Sequence, residues 1–216
     1  MKKILAVDLC NTLYKSNTTQ DFFEYSFKDF DDYKTLKAKN KNINFKVINK
    51  LSNKILKNDM SKKLITNVLK DRDVEEINNL VEKFIDNFLE EKKISKAQEI
   101  IRDYKEKGYY IIMISASYDF IAKAVAKRLN IDEVIASSAY VENNKFTGRV
   151  KEDILYTKFA KFLDKFKDYD DLVMITDNET DYDFVKNTTK SFIVIHEKNK
   201  RFWEDRKSER LIFIEE

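Results

Sequence analysis

Six short stretches of the chain are apolar throughout rather than at every second position. They are Ile4–Val7, Tyr109–Ile114, Val134–Ala136, Leu172–Ile175, Phe192–Ile195 and Leu211–Ile214. Continuous runs of this length predict strands covered on both faces, because a strand with one wet face alternates. Between them the pattern changes to a helical period. Phe120, Ile121, Ala124, Val125 and Leu129 share one face of a predicted helix, with Ser117 as its N-cap. Leu155, Phe159, Phe162, Leu163 and Phe166 do the same over 153–166, and Gly108 falls where a glycine ends a helix over 97–107. Strand–helix alternation of this kind implies α/β architecture, a parallel sheet with helices on both faces.

From about residue 18 to 93 the alternation stops and only helical patterns follow: Phe22–Tyr33, Phe45–Leu56, Lys62–Leu69 and Val74–Leu89. The expected organisation is a sheet-bearing core over 1–15 and 95–216, with an inserted helical domain over 16–94. Phe22, Phe23, Tyr25, Phe27, Phe30 and Tyr33 are read as the core of that insertion. Ala139–Val150, centred on Asn143-Asn144, predicts a hairpin, since Asn tolerates the left-handed angles of a tight turn. Arg149 on it is read as a surface residue. His196–Arg206 predicts a short amphipathic helix on the sheet edge.

Composition narrows the class. The chain has 216 residues and is 43% hydrophobic, enough for a substantial core, with no apolar run long enough to span a membrane. Its 41 basic and 38 acidic side chains leave a net charge of +3, too little to argue for nucleic acid. The one cysteine, Cys10, forms no intrachain disulfide, which fits a reducing cytoplasm. Asp8 interrupts the apolar stretch after Met1-Lys2-Lys3, so a secretory signal is not expected. A soluble monomer or homodimer in the cytoplasm is the expectation. There is no proline and there are two glycines, so turns fall to Asn, Asp, Ser and Lys.

In an open parallel sheet, chemistry gathers at the carboxyl ends of the strands. Asp8, Cys10, Asn11 and Thr12 follow the first run; Ser115, Ala116 and Ser117 follow the second; Thr176, Asp177, Asn178 and Asp181 follow the fourth. Carboxylates converging from two strands call for a hard divalent cation with oxygen ligands, and Mg²⁺ is the natural choice. Such a metal beside a free carboxylate, with hydroxyl, N–H and Lys donors, suits a phosphoryl group.

These segments resemble the motifs of the haloacid dehalogenase (HAD) superfamily. Asp8-Leu9-Cys10-Asn11-Thr12-Leu13 is similar to its D-x-D-x-T-L motif, Ser115 to the second motif, Lys158 to the third, and Asp177-Asn178-Glu179-Thr180-Asp181 to the fourth. Ile114–Ser117, 131–135 and 146–149, with the helical insertion, look closest to the phosphoserine-phosphatase-like branch. The resemblance implies a Rossmann-like core with a helical cap, and a Mg²⁺-dependent phosphatase acting on a small phosphorylated substrate. Asp8 would be the nucleophile, forming an aspartyl-phosphate. Ser115, Ala116, Asn11 and Lys158 would hold the phosphoryl oxygens. Asp8, the Cys10 carbonyl and Asp177 would hold the metal, with Asp181 beside them orienting a water or Lys158.

The sequence departs from the family at Cys10, where a second Asp usually serves as general acid and base. A thiol is mostly protonated at pH 7, so it is a weaker acid and a poorer base than a carboxylate. Three readings stay open: a slower phosphatase, a long-lived phosphoenzyme that favours transfer or another hydrolytic chemistry, and a non-catalytic binder of a phosphorylated ligand. Cys10 is not read as a nucleophile, because His196, the sole histidine, lies far along the chain with no motif pairing the two.

Overall fold

The computed structural model describes residues 2–41, 49 and 59–215. Among them are seven strands: β1 Lys2–Val7, β2 Tyr110–Tyr118, β3 Glu133–Glu142, β4 Lys145–Glu152, β5 Tyr169–Thr176, β6 Lys190–Ile195 and β7 Leu211–Glu215. They form one sheet in the order β4-β3-β2-β1-β5-β6-β7. All neighbouring pairs are parallel except the β3–β4 hairpin.

Alternate residues of each central strand point to opposite faces. Ile4 and Ala6 join one buried cluster with Ile112, Ile114, Leu172 and Met174. Leu5 and Val7 join another with Ile111, Met113, Val173 and Ile175. Both faces are dry, which is why these strands read as unbroken apolar runs.

Between β1 and helix α5 (Ser95–Glu106) lie helices α1 (Thr18–Phe27), α2 (Asp31–Lys41), α3 (Met60–Thr66) and α4 (Val74–Phe84), with short 3-10 and π turns. Phe22, Phe23 and Phe27 are fully buried in the same cluster as Leu5 and Val7, while Phe30 is 47% exposed. The predicted helix over 22–33 is two helices, broken between Phe27 and Asp31. The predicted helix over 45–56 lies outside the described residues.

Two further expectations need correction. Ser117 does not cap helix α6 (Asp119–Arg128), whose N-cap is Tyr118 without a side-chain bond. Residues 115–118 instead stay extended, and the Ser117 hydroxyl is spent on Thr18 and Thr19. The helix predicted over 153–166 begins only at Lys158, as α7 (Lys158–Lys165). Asp153 Oδ1 accepts from Leu155 N–H and the Ser137 hydroxyl, holding the preceding residues in a turn, and Leu163 is exposed.

The hairpin turn forms as expected, with Asn143 and Asn144 both at positive φ. Its outer strand also bonds to the helical segment, through Asp71 N–H to Phe146 O (2.8 Å) and Phe146 N–H to Arg72 O (2.9 Å). Gly148 sits at this contact with φ +76, where a Cβ would lie 3.3 Å from the Asn67 backbone. Helices α8 (Tyr182–Val185) and α9 (Lys200–Glu204) complete the chain. Trp203 of α9 is fully buried.

Candidate active site

Register brings the predicted residues together. Val7 is level with Met113 on β2 and Ile175 on β5, so Asp8 leaves the sheet between the two neighbouring strand ends. Its main-chain N–H still donates to Ile175 O (2.9 Å). The strand ends open into a cavity of about 700 Å³, lined by Asp8, Cys10, Asn11, Ser115, Lys158 and Asp177. Its opposite wall comes from the helical segment, including Glu24, Tyr33 and Lys62.

Lys158, at the start of α7, is 3% exposed and lies between two carboxylates. Its Nζ is 3.0 Å from Asp8 Oδ1 and 2.9 Å from Asp181 Oδ2. Burial opposes its charge, but Asp181 and Asp8 more than offset this and hold the ammonium firmly protonated. Asp8 Oδ1 also accepts from Leu9 N–H at 2.8 Å. Both bonds fall on the same oxygen, so Oδ2 is the one left to act on a ligand.

Asp177 is set by Thr12. The Thr12 hydroxyl donates to Asp177 Oδ1 (3.1 Å) and accepts from Asp177 N–H (3.0 Å). Burial, and then the charge of Asp8, push the Asp177 carboxyl up to about 8. Burial likewise raises Asp181 to about 6. Its Oδ1 is buried without a hydrogen-bond partner. Three carboxylates therefore face a single ammonium, and the excess negative charge with hard oxygen donors fits a hard divalent cation.

Metal holding was expected of Asp8, the Cys10 carbonyl and Asp177, with Asp181 beside them. Asp181 does not line the cavity, because its Oδ2 is committed to Lys158 and to the Thr176 hydroxyl at 2.7 Å. Cys10 Sγ lies 3.0 Å from Thr18 Oγ1. The described residues contain no group of three or more His, Cys, Asp or Glu side chains suited to a metal. A cation here would rest on Asp8, Asp177 and backbone oxygen.

The phosphate residues are partly as expected. Ser115 is 1% exposed and its hydroxyl accepts from Ser117 N–H at 3.2 Å. Ala116 lines the cavity beside it. Asn11 has φ +51, and its main chain is engaged: N–H to Ser16 O (3.1 Å), C=O to the His196 ring (2.6 Å). Its side chain is what remains for a ligand. Arg149 is exposed, near the Tyr140 ring, and outside the cavity.

Burial, then Asp8, drive the Cys10 thiol up to about 11. Its neighbour Thr18 Oγ1 continues to Ser117 Oγ at 2.7 Å, a short chain of hydroxyls behind the site.

Sequence reasoning named Thr12 without a partner and passed over three other contributors. Thr12 carries the link to Asp177. Lys62, on α3, is nearly buried and donates to Ala116 O (2.7 Å) and Asp153 Oδ1 (2.9 Å). The ring of His196 reaches Asn11, and Trp203 Nε1–H donates to Asp177 O at 3.1 Å. Nothing in the sequence marks Lys62 apart from a lysine on a solvated face.

Residues 5–186 match the family model described as haloacid dehalogenase-like hydrolase, and the chain belongs to that family. Within it, the chain is similar to the phosphoserine phosphatases of Archaeoglobus fulgidus and Methanocaldococcus jannaschii. Each is 29% identical over 59 residues, which is 27% of this chain but 17% and 28% of theirs, so the matched stretch spans less than a third of those relatives. Solved structures share the fold over nearly the whole chain. A protein of unknown function from Bordetella pertussis Tohama I has a TM-score of 0.76 at 14% identity, covering 98% of this chain and 99% of that one. A substrate-bound phosphoserine phosphatase has a TM-score of 0.61 at 17% identity, covering 98% and 93%. No helix among the described residues is long and apolar enough to cross a membrane.

Proposed function

We propose that this chain is a Mg²⁺-dependent phosphatase that cleaves a small phosphorylated metabolite through an aspartyl-phosphate on Asp8. The observation that carries the reading is the buried Asp8–Lys158–Asp181 arrangement with Asp177 beside it, opening into a polar cavity. Family membership and the likeness to phosphoserine phosphatases support it. Residues 16–94 are proposed to act as the cap, since Asn17–Lys37 and Asp59–Ile65 supply the far wall.

Asp8 Oδ2 attacks phosphorus as the bond to the leaving oxygen breaks. Lys158 offsets the charge on Asp8, and Ser115 Oγ with the Asn11 side chain holds the non-bridging oxygens. Mg²⁺, held by Asp8, Asp177 and the Cys10 carbonyl, would neutralise the remaining phosphate charge. The Cys10 thiol, which lines the cavity on this loop, would give a proton to the leaving alkoxide. Water then cleaves the acyl-phosphate, restoring the Asp8 carboxylate and releasing phosphate.

That second step needs a base. Burial and the charge of Asp8 push the Cys10 thiol up, so it stays protonated at pH 7 and is a poor base. This favours slow dephosphorylation and a long-lived phosphoenzyme. The test is turnover of an activated aryl phosphate with Mg²⁺, beside Asp8→Asn and Cys10→Asp. Loss of turnover in Asp8→Asn and a burst followed by a slow phase in the parent chain are expected. Activity in Cys10→Asp alone would instead identify the parent as a non-catalytic binder.

A further inference from the structure

His196 stands at the end of β6, far in sequence from the nucleophile, yet its ring lies directly against the nucleophile loop. Nε2 is 2.6 Å from Asn11 O, and a carbonyl only accepts, so Nε2 carries the hydrogen. The main-chain N–H of His196 donates to Asn199 Oδ1 at 2.8 Å. Asn199 Nδ2 in turn donates to Asp177 O (2.7 Å) and Val194 O (2.9 Å). Trp203 Nε1–H adds a second donor to the same Asp177 carbonyl. Residues 196–203 thus hold the main-chain carbonyls of both acidic loops.

The two loops are also tied to each other in front, where the Thr12 hydroxyl bonds Asp177. The bonds close a ring: Asn11 and Thr12 to Asp177, to Asn199, to His196, and back to Asn11. The Asn11 carbonyl belongs to the peptide that joins Asn11 to Thr12. Turning that carbonyl turns Thr12, and with it the hydroxyl that sets Asp177. Asn11 sits at φ +51, a left-handed angle that Asn tolerates, and this angle sets the direction of its carbonyl toward His196.

We infer that His196 is a positioning residue: through the Asn11 carbonyl it fixes the Asp8–Thr12 loop against the Asp177 loop, with Asn199 and Trp203 completing the brace. The inference rests on the proposed phosphatase reading only for its kinetic consequence. The geometric claim is independent of it.

The experiment compares His196→Leu, which removes the donor, with His196→Gln, whose amide nitrogen restores one at similar reach. Three readouts are taken on the full chain: melting temperature, kcat and KM on an aryl phosphate with Mg²⁺, and backbone amide resonances of the ligand-free protein. Because sub-ångström misplacement of reacting groups has a large effect on rate, His196→Leu is expected to lower kcat about tenfold with KM changed less than about twofold. The Thr12 and Asp177 amide resonances shift in His196→Leu, and both effects largely return to the parent values in His196→Gln. Parent-like resonances of Thr12 and Asp177 in His196→Leu overturn the proposal. So does a kcat loss that Gln fails to restore and that only tracks melting temperature. If the parent chain turns over no phosphate ester, the phosphatase reading fails, and the resonances alone decide the brace.

Discussion

Lys158 is the residue on which the site's charge balance turns. Removing a buried partner strands the opposite charge, at a cost of about 3–5 kcal/mol. Lys158→Met is therefore expected to abolish turnover and to lower the unfolding free energy by about that amount at pH 7, read by urea titration. A change under about 1 kcal/mol would contradict burial of the ammonium between Asp8 and Asp181. At Cys10 the expectation runs the other way. Cys10→Asp restores a group that is a base at neutral pH, and a positioned general base is typically worth about 10²–10⁴-fold. The slow phase of turnover should accelerate by at least about tenfold in a rapid-mixing assay. An unchanged slow phase would show that proton transfer at this position does not limit dephosphorylation.

At the scale of elements, the β3–β4 hairpin and helix α3 tie the helical segment to the sheet. Gly148 makes that docking possible, being at φ +76 with the Asn67 backbone close to where a Cβ would be. Gly148→Ala adds left-handed strain of about 1–3 kcal/mol and pushes the hairpin off residues 67–72. It should lower the melting temperature and raise KM while sparing kcat, because the hairpin lies away from Asp8. Gly108, also at positive φ but with open space around its Cβ position, should show the backbone strain alone. Deeper in, Phe22 meets Phe23, Phe27, Phe84 and Phe120 edge-on. Phe22→Ala is expected to cost about 3–5 kcal/mol, measured by denaturant unfolding.

For the molecule as a whole, the buried carboxylates set how stability depends on pH. Asp177 rises to about 8 and Asp181 to about 6, both from 3.8. A carboxyl whose folded pKa is raised binds its proton more tightly in the folded state. The stability it contributes is complete below about pH 4 and is lost as pH climbs through the folded value. Metal-free protein should therefore melt at lower temperature at pH 8 than at pH 5. On the proposed reading Mg²⁺ would bind the ionised carboxylates, so its addition should raise the melting temperature more at pH 8 than at pH 5. Calorimetry at both pH values, with and without the metal, provides the check; metal-free stability that climbs between pH 5 and 8 would refute the assignment.

The unbroken apolar runs, the helical period between them and the acidic or hydroxyl residues that follow each run were enough to determine the parallel sheet and to mark Asp8, Ser115 and Asp177 as neighbours, while Lys158 was marked only by the family resemblance. Those features are local: a strand buried on both faces must be apolar at every position, and chemistry must emerge where it ends. Which oxygen of Asp8 is free, why Asp181 serves Lys158 rather than a metal, and how high Cys10 and Asp177 titrate were decided only by tertiary structure. Burial and the approach of side chains from distant strands set those properties, and no residue carries them in its own identity. The same holds for Lys62, His196 and Trp203, whose roles arise from hydrogen bonds to main-chain carbonyls. A carbonyl is present at every position, so the sequence cannot distinguish the one at 11, 116 or 177 until the fold brings a donor to it.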